Sequence, residues 1–110
     1  MASKYISFGA LIGGRGALSF SSDANKTLTD TEYDNLILDF GTGTALTVTR
    51  NVVVPLTAGR VWIVRNNATG AQSIVLIGAS GTGITVATNR TAICAADGTN
   101  IVRITADTAP

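Results

Sequence analysis

Val61-Trp62-Ile63-Val64 decides how this chain is read. In an extended strand Val61 and Ile63 point to one face and Trp62 and Val64 to the other, so both faces are apolar. Asn51-Val52-Val53-Val54 and Ser73-Ile74-Val75-Leu76-Ile77 read the same way. A sheet with one solvated face gives a clean apolar–polar alternation. Doubly apolar strands therefore imply that the outer face of their sheet is covered as well, by the N-terminal segment or by a neighbouring subunit.

Outward from these strands the chain is a train of short β-branched and apolar runs bounded by turn formers. They span Asn35–Phe40, Ala45–Val54, Val61–Asn66, Ser73–Ile77, Ile84–Thr88, Thr91–Ala95 and Asn100–Thr105. Gly41 and Gly43, Ala58-Gly59, Ala68–Gly70, Gly78–Gly83 and Asp97-Gly98 separate them. Pro55 has no N–H for a ladder and is expected at a strand end or on an edge. Asp97-Gly98 carries the strongest hairpin signal. Thr29-Asp30-Thr31-Glu32 has capping-box spacing and predicts one helical turn over residues 30–34. No other segment holds a 3.6-residue apolar period. With no helical crossovers, about eight strands predict an all-β fold, an antiparallel β-sandwich of jelly-roll or Greek-key type. A faint repeat relates Gly41–Arg65 to Gly81–Ile104, and one sequence leaves duplication and convergence equally open.

Residues 1–22 have a different texture, with Gly9, Gly13, Gly14 and Gly16 among apolar and small residues. They read as an N-terminal arm packing on a neighbour, or as a pair of edge strands, ahead of a sandwich domain over residues 23–110. The chain's 110 residues suffice for one domain with its own core. Only 14% are charged, against about 25% in ordinary soluble domains. Part of the surface is therefore expected to be covered by another protein, with Thr, Ser and Asn solvating the rest.

The chain has no histidine, which removes Ser-His-Asp triads and the usual zinc and iron ligand sets. The Asp30/Glu32/Asp34 cluster lacks the ligand spacing and central glycine of a calcium loop. The glycine-rich segments lack the lysine of a phosphate loop. Cys94 is alone, a small buried hydrophobe or a reactive thiol, and the second reading lacks a base. Trp62, Tyr5 and Tyr33 are the aromatics available for sugar stacking, although Trp62 in mid-strand reads as core or interface. Arginines are scattered and net charge is +1, which opposes nucleic-acid binding. No apolar run approaches the ~20 residues of a membrane span. The expectation is a protein without enzymatic activity, metal or cofactor.

Ala24-Asn25-Lys26-Thr27-Leu28-Thr29, Glu32-Tyr33, Gly81-Thr82-Gly83-Ile84-Thr85-Val86-Ala87 and Ala96-Asp97-Gly98-Thr99-Asn100-Ile101-Val102-Arg103 together resemble a β-sandwich module of tailed-bacteriophage virion proteins. The resemblance covers the C-terminal three quarters of the chain. It implies a structural role in the virion. A short chain with an apolar arm fits a capsid decoration (cement) protein made in the bacterial cytoplasm. Such a protein binds the major capsid protein on the outer shell, usually as a homotrimer. A carbohydrate- or receptor-binding tip of a tail or head fibre, or a tail or baseplate adaptor, is the alternative. Tyr5, Ile6, Phe8, Leu11, Ile12, Arg15, Phe20 and Trp62 are the expected contacts with capsid or neighbouring subunit.

Overall fold

The computed structural model describes residues 14–109. Nine strands and one helical turn follow in the order β1 (Arg15–Leu18), β2 (Lys26–Thr27), α1 (Asp30–Tyr33), β3 (Ile37–Phe40), β4 (Arg50–Val53), β5 (Val61–Asn66), β6 (Ile74–Ile77), β7 (Ile84–Val86), β8 (Arg90–Ala96) and β9 (Ile101–Arg103). The fold is all-β. The turn α1 stands where the capping residues place it, with Thr29 N–H donating to Glu32 Oε1 at 2.9 Å. Pro55 follows β4 closely, and Gly98 turns the β8–β9 hairpin at φ 95°. There the carboxylate of Asp97 accepts from Asn100 N–H at 2.7 Å and Thr99 N–H at 2.9 Å.

Strand pairing departs from the expected antiparallel sandwich. Both sheets are mixed, one ordered β1-β3-β5-β8-β9 and the other β2-β4-β6-β7. From β1 to β6 the chain alternates between the sheets, so each strand lies parallel to the next one in its own sheet. Arg15, Ile37 and Ile63 stand side by side, so one turn of this winding takes 22 and then 26 residues. Antiparallel pairing begins only at β6–β7, β5–β8 and β8–β9. Parallel neighbours need a crossover of a dozen residues or more, usually helical. Here the strand in the opposite sheet is the crossover, which is why the lack of helices misdirects the sequence reading. The proposed repeat is not structural either: Leu46–Thr49 lies outside the strands while Ile84–Val86 is β7.

The core lies between the sheets. Leu38, Phe40, Trp62, Val64 and Cys94 enter it from the first sheet, and Val52, Ile74, Leu76 and Val86 from the second, all fully buried. Strand β1 forms the edge of the five-stranded sheet, with Leu18 and Phe20 in this core. Phe20 stacks on Phe40 at 5.4 Å between ring centroids. The folded body therefore begins before residue 22, while residues 1–13 lie outside the described part.

Asn66, the last residue of β5, is fully buried. Its Nδ2 donates to Gln72 O at 3.0 Å and Val86 O at 2.9 Å, and its Oδ1 accepts from Ala68 N–H at 3.1 Å. Leucine at this position would strand two carbonyls and one N–H at about 1–3 kcal/mol each. Asn66→Leu is expected to cost about 3 kcal/mol or more, read as a lower urea midpoint at unchanged slope. A midpoint equal to that of the parent chain would contradict this role.

Candidate interaction surface

Alternation along the five-stranded sheet sends every second side chain outward, and the pairing registers arrange these side chains in rows. The first row is Val61, Ala95 and Val102. The second is Arg15, Ile37, Ile63 and Ile93, extended by Ile104, whose N–H donates to Ile93 O at 2.8 Å. The third is Ala17, Asp39, Arg65, Thr91 and Thr108. Two adjoining rows are thus almost wholly apolar. Val61 is 41% exposed, Val102 40% and Ile104 52%, with Ile37, Ile63, Ile93 and Ala95 half-buried between them. Eight positions, ~4.8 Å apart between strands and ~6.7 Å along them, give the two rows roughly 260 Å². That approaches the largest patch of a typical monomer, and such patches are often functional.

The third row is ionic. Asp39 is buried to 7% exposure, and its Oδ2 accepts from Arg15 Nε at 2.8 Å, with Arg65 Nη1 at 3.8 Å. Two guanidiniums around one carboxylate compensate its removal from water, which an unpaired buried charge would not allow. The Asn67 amide, with its oxygen toward Arg65, accepts from Nε and Nη2 at 3.0 Å and donates to Asn89 Oδ1 at 3.2 Å. The Arg15 side chain, 61% exposed, borders the apolar rows.

The opposite end of the fold, at α1 and the β8–β9 turn, carries Asp30, Glu32, Asp34 and Asp97 beside Lys26 and Arg60. Asp34 is exposed and meets Arg60 Nη2 at 2.9 Å. Burial works to raise the Glu32 carboxyl, but Thr29 N–H and Lys26 outweigh it and hold it below its usual range. Hydrogen bonds from Asn100 and Thr99 N–H likewise keep Asp97 low. Arg60 stacks over the Tyr33 ring at 5.0 Å and the Trp62 ring at 5.9 Å. Both Arg60 Nη1 and Trp62 Nε1 donate to Tyr33 O, at 3.1 and 2.8 Å.

This geometry sorts the expected contact residues. Phe20 and Trp62 are spent in the chain's own core, at 2% and 0% exposure, so neither reaches a partner and Trp62 is no stacking platform. Arg15 is on the surface. Tyr5, Ile6, Phe8, Leu11 and Ile12 lie outside the described residues. The sequence reading omitted Ile37, Ile93, Ala95, Val102 and Ile104. Their signal was the alternation of each strand, usable only once the register is known.

Catalytic groupings are sparse. Among the described residues no three His, Cys, Asp or Glu side chains come together as a metal site. A recess of about 240 Å³ over Phe20–Thr27 is lined by Ser21, Ser22, Asn25 and Lys26 beside Ala24. Asp23 binds Thr47 Oγ1 at 2.6 Å and Arg50 Nη2 at 2.9 Å, tying two connections together. No helix of the described residues is long and apolar enough to cross a membrane.

Cys94 is fully buried, with Sγ 3.6 Å from Trp62 O. Burial pushes its thiol from the ordinary 9.0 up to about 12. The thiolate, the reactive form, is thereby suppressed in the folded chain. Because the folded value is the higher one, the stabilisation is complete below pH ~9 and is lost as pH rises through ~12. The parent chain should therefore lose stability over that window more steeply than Cys94→Ala, and a thiol reagent at pH 8 should label it only in denaturant. Rapid labelling of the native chain would contradict this.

Neither a known protein-family model, nor a curated protein, nor a solved structure matches the chain.

Proposed function

We propose that this chain is a non-enzymatic structural protein of a tailed-phage virion, a capsid decoration protein that binds the major capsid protein on the outer shell and stabilises it. The outer face of the five-stranded sheet carries the reading: two apolar rows on a chain with 14% charged residues. Exposed apolar area is worth about 25 cal/mol per Å² once covered, so such a face favours an assembled state. The resemblance to virion modules supplies the setting. Residues Tyr5–Ile12, outside the described part, and Arg15 are the proposed attachment to the shell.

One observation favours a fibre module as the second reading. The parallel winding of β1–β6 adds strands to both sheets turn by turn, as in solenoids that lengthen by repeating one unit. The same winding would let the module continue such a shaft.

Thermal melts of particles with and without the protein separate the two. A protein that binds only the assembled shell raises its resistance to heat by mass action, and saturating protein is expected to raise the shell's melting temperature. Superimposed melts, together with binding of the protein to host cells or glycans, would exclude decoration in favour of the fibre module.

A further inference from the structure

We infer that the open edge of β2 is the docking site of residues Tyr5–Phe8 of the same chain, received parallel to β2 as a further strand of the four-stranded sheet. These residues lie outside the described part, and the edge that receives them lies within it. The inference does not depend on the decoration role.

The two ends of the winding differ. At one end stand β7 and β9, the last strands of their sheets, and they are tied to each other. Ile101 N–H donates to Thr82 O at 3.0 Å, and Thr82 N–H to Asn100 Oδ1 at 2.7 Å. Arg103 Nη2 donates to Thr85 O at 2.5 Å. At the other end stand β1 and β2, and among the described residues no strand pairs with the outer edge of either. Leu28 N–H donates to Val53 O at 3.0 Å, so Thr27, one residue earlier, turns its N–H and C=O to the open side. Unpaired groups of this kind are a template for another strand. The recess lined by Ser22, Asn25 and Thr27 opens at this same end.

The winding selects the occupant. Successive parallel strands stand 22 and 26 residues apart in the five-stranded sheet, and 26 and 24 apart in the four-stranded one. Stepping back from β2 by the 22 residues of the adjoining turn sets Tyr5 beside Thr27 and Ile6 beside Leu28. Turns of 26 or 24 would set Ala2 or Lys4 there, one small and the other charged. Thr27 is exposed and Leu28 buried, so alternation sends Ser7 outward and Ile6 and Phe8 toward the core. Gly9–Gly14 then lead into β1 in six residues, close to the seven that join β1 to β2, β4 to β5 and β5 to β6. A tethered segment docks at high effective concentration, whereas a segment of another molecule must first meet the cost of association. With Ile6 and Phe8 so engaged, Tyr5, Leu11, Ile12 and Arg15 remain for the proposed attachment.

Amide hydrogen exchange of the full chain tests this. Thr27 N–H is expected to exchange about ten-fold or more slowly in the parent than in Ile6→Asp or Phe8→Asp, because pairing protects an edge amide. Ser7→Asp, on the outward side, should leave that protection unchanged, and dilution should not alter it. Equal exchange in the parent and both inward variants, or an equal response to Ser7→Asp, would overturn the inference. Protection that grows with protein concentration would assign the edge to the arm of a second copy, and protection found only on particles would assign it to the shell; either overturns it. Particle melts keep this apart from the decoration role. Raised shell melting with an unprotected Thr27 leaves that role standing without the docked arm, and a protected Thr27 with superimposed melts leaves the docked arm standing alone.

Discussion

The buried amide of Asn66 sits where the two halves of the topology meet. Its strand, β5, is parallel to β3 on one side and antiparallel to β8 on the other. Its side chain holds the carbonyl of Gln72 on the way to β6, the carbonyl of Val86 at the end of β7, and the N–H of Ala68. Its own carbonyl accepts from Asn89 N–H at 2.7 Å, in the turn that enters β8. The chain leaves one sheet and re-enters it at this point, and both passages expose backbone groups away from water. A buried polar group without a partner is costly. A single amide with two donor hydrogens and an accepting oxygen satisfies three of them. Those groups are therefore paired where the closing antiparallel strands join the parallel winding.

Much of the strand content was legible because it depends on local chemistry. Val61–Asn66 was bounded to the residue, the helical turn followed from Thr29 and Glu32, Pro55 followed the end of β4, and Gly98 fell at its hairpin turn. Strand β2 was missed because two residues, Lys26 and Thr27, carry no period. Pairing direction was illegible for a different reason. Parallel and antiparallel neighbours use the same side-chain alternation, and the usual cue, a helix between parallel strands, is absent when the opposite sheet provides the return path.

The contact residues divide along the same line. Phe20 and Trp62 were read as interface because aromatic side chains in a glycine-rich segment or in doubly apolar strands have two possible destinations. Phe20 went inward because Leu18 and Phe20 share the inner face of β1 and its continuation, where Phe40 receives the ring. Trp62 went inward with Val64 and Asn66, and its indole N–H found Tyr33 O. That leaves Val61 and Ile63 for the outside. Strand β5 is thus apolar on both faces, and the residue named from it as a contact, Trp62, lies on the inner one.

An outward apolar surface on a β-sheet is hazardous unless its neighbours are constrained, because flat apolar strands also favour indiscriminate pairing. The ionic row answers this in part. Asp39 is held between Arg15 and Arg65 in the row that borders the apolar ones. Any partner that slides along the strands by one row must set apolar side chains against that cluster and desolvate charges already satisfied within the chain. Such a mismatch is expensive, whereas a partner presenting carboxylates at the right distance meets the exposed guanidiniums of Arg15 and Arg65 at little cost. The apolar rows supply attraction without direction, and the ionic row supplies register. Specificity of this kind comes from penalising wrong alignments as much as from rewarding the right one. It requires few charges, provided that they are placed asymmetrically, and an ionic row along one border of the apolar rows meets that requirement.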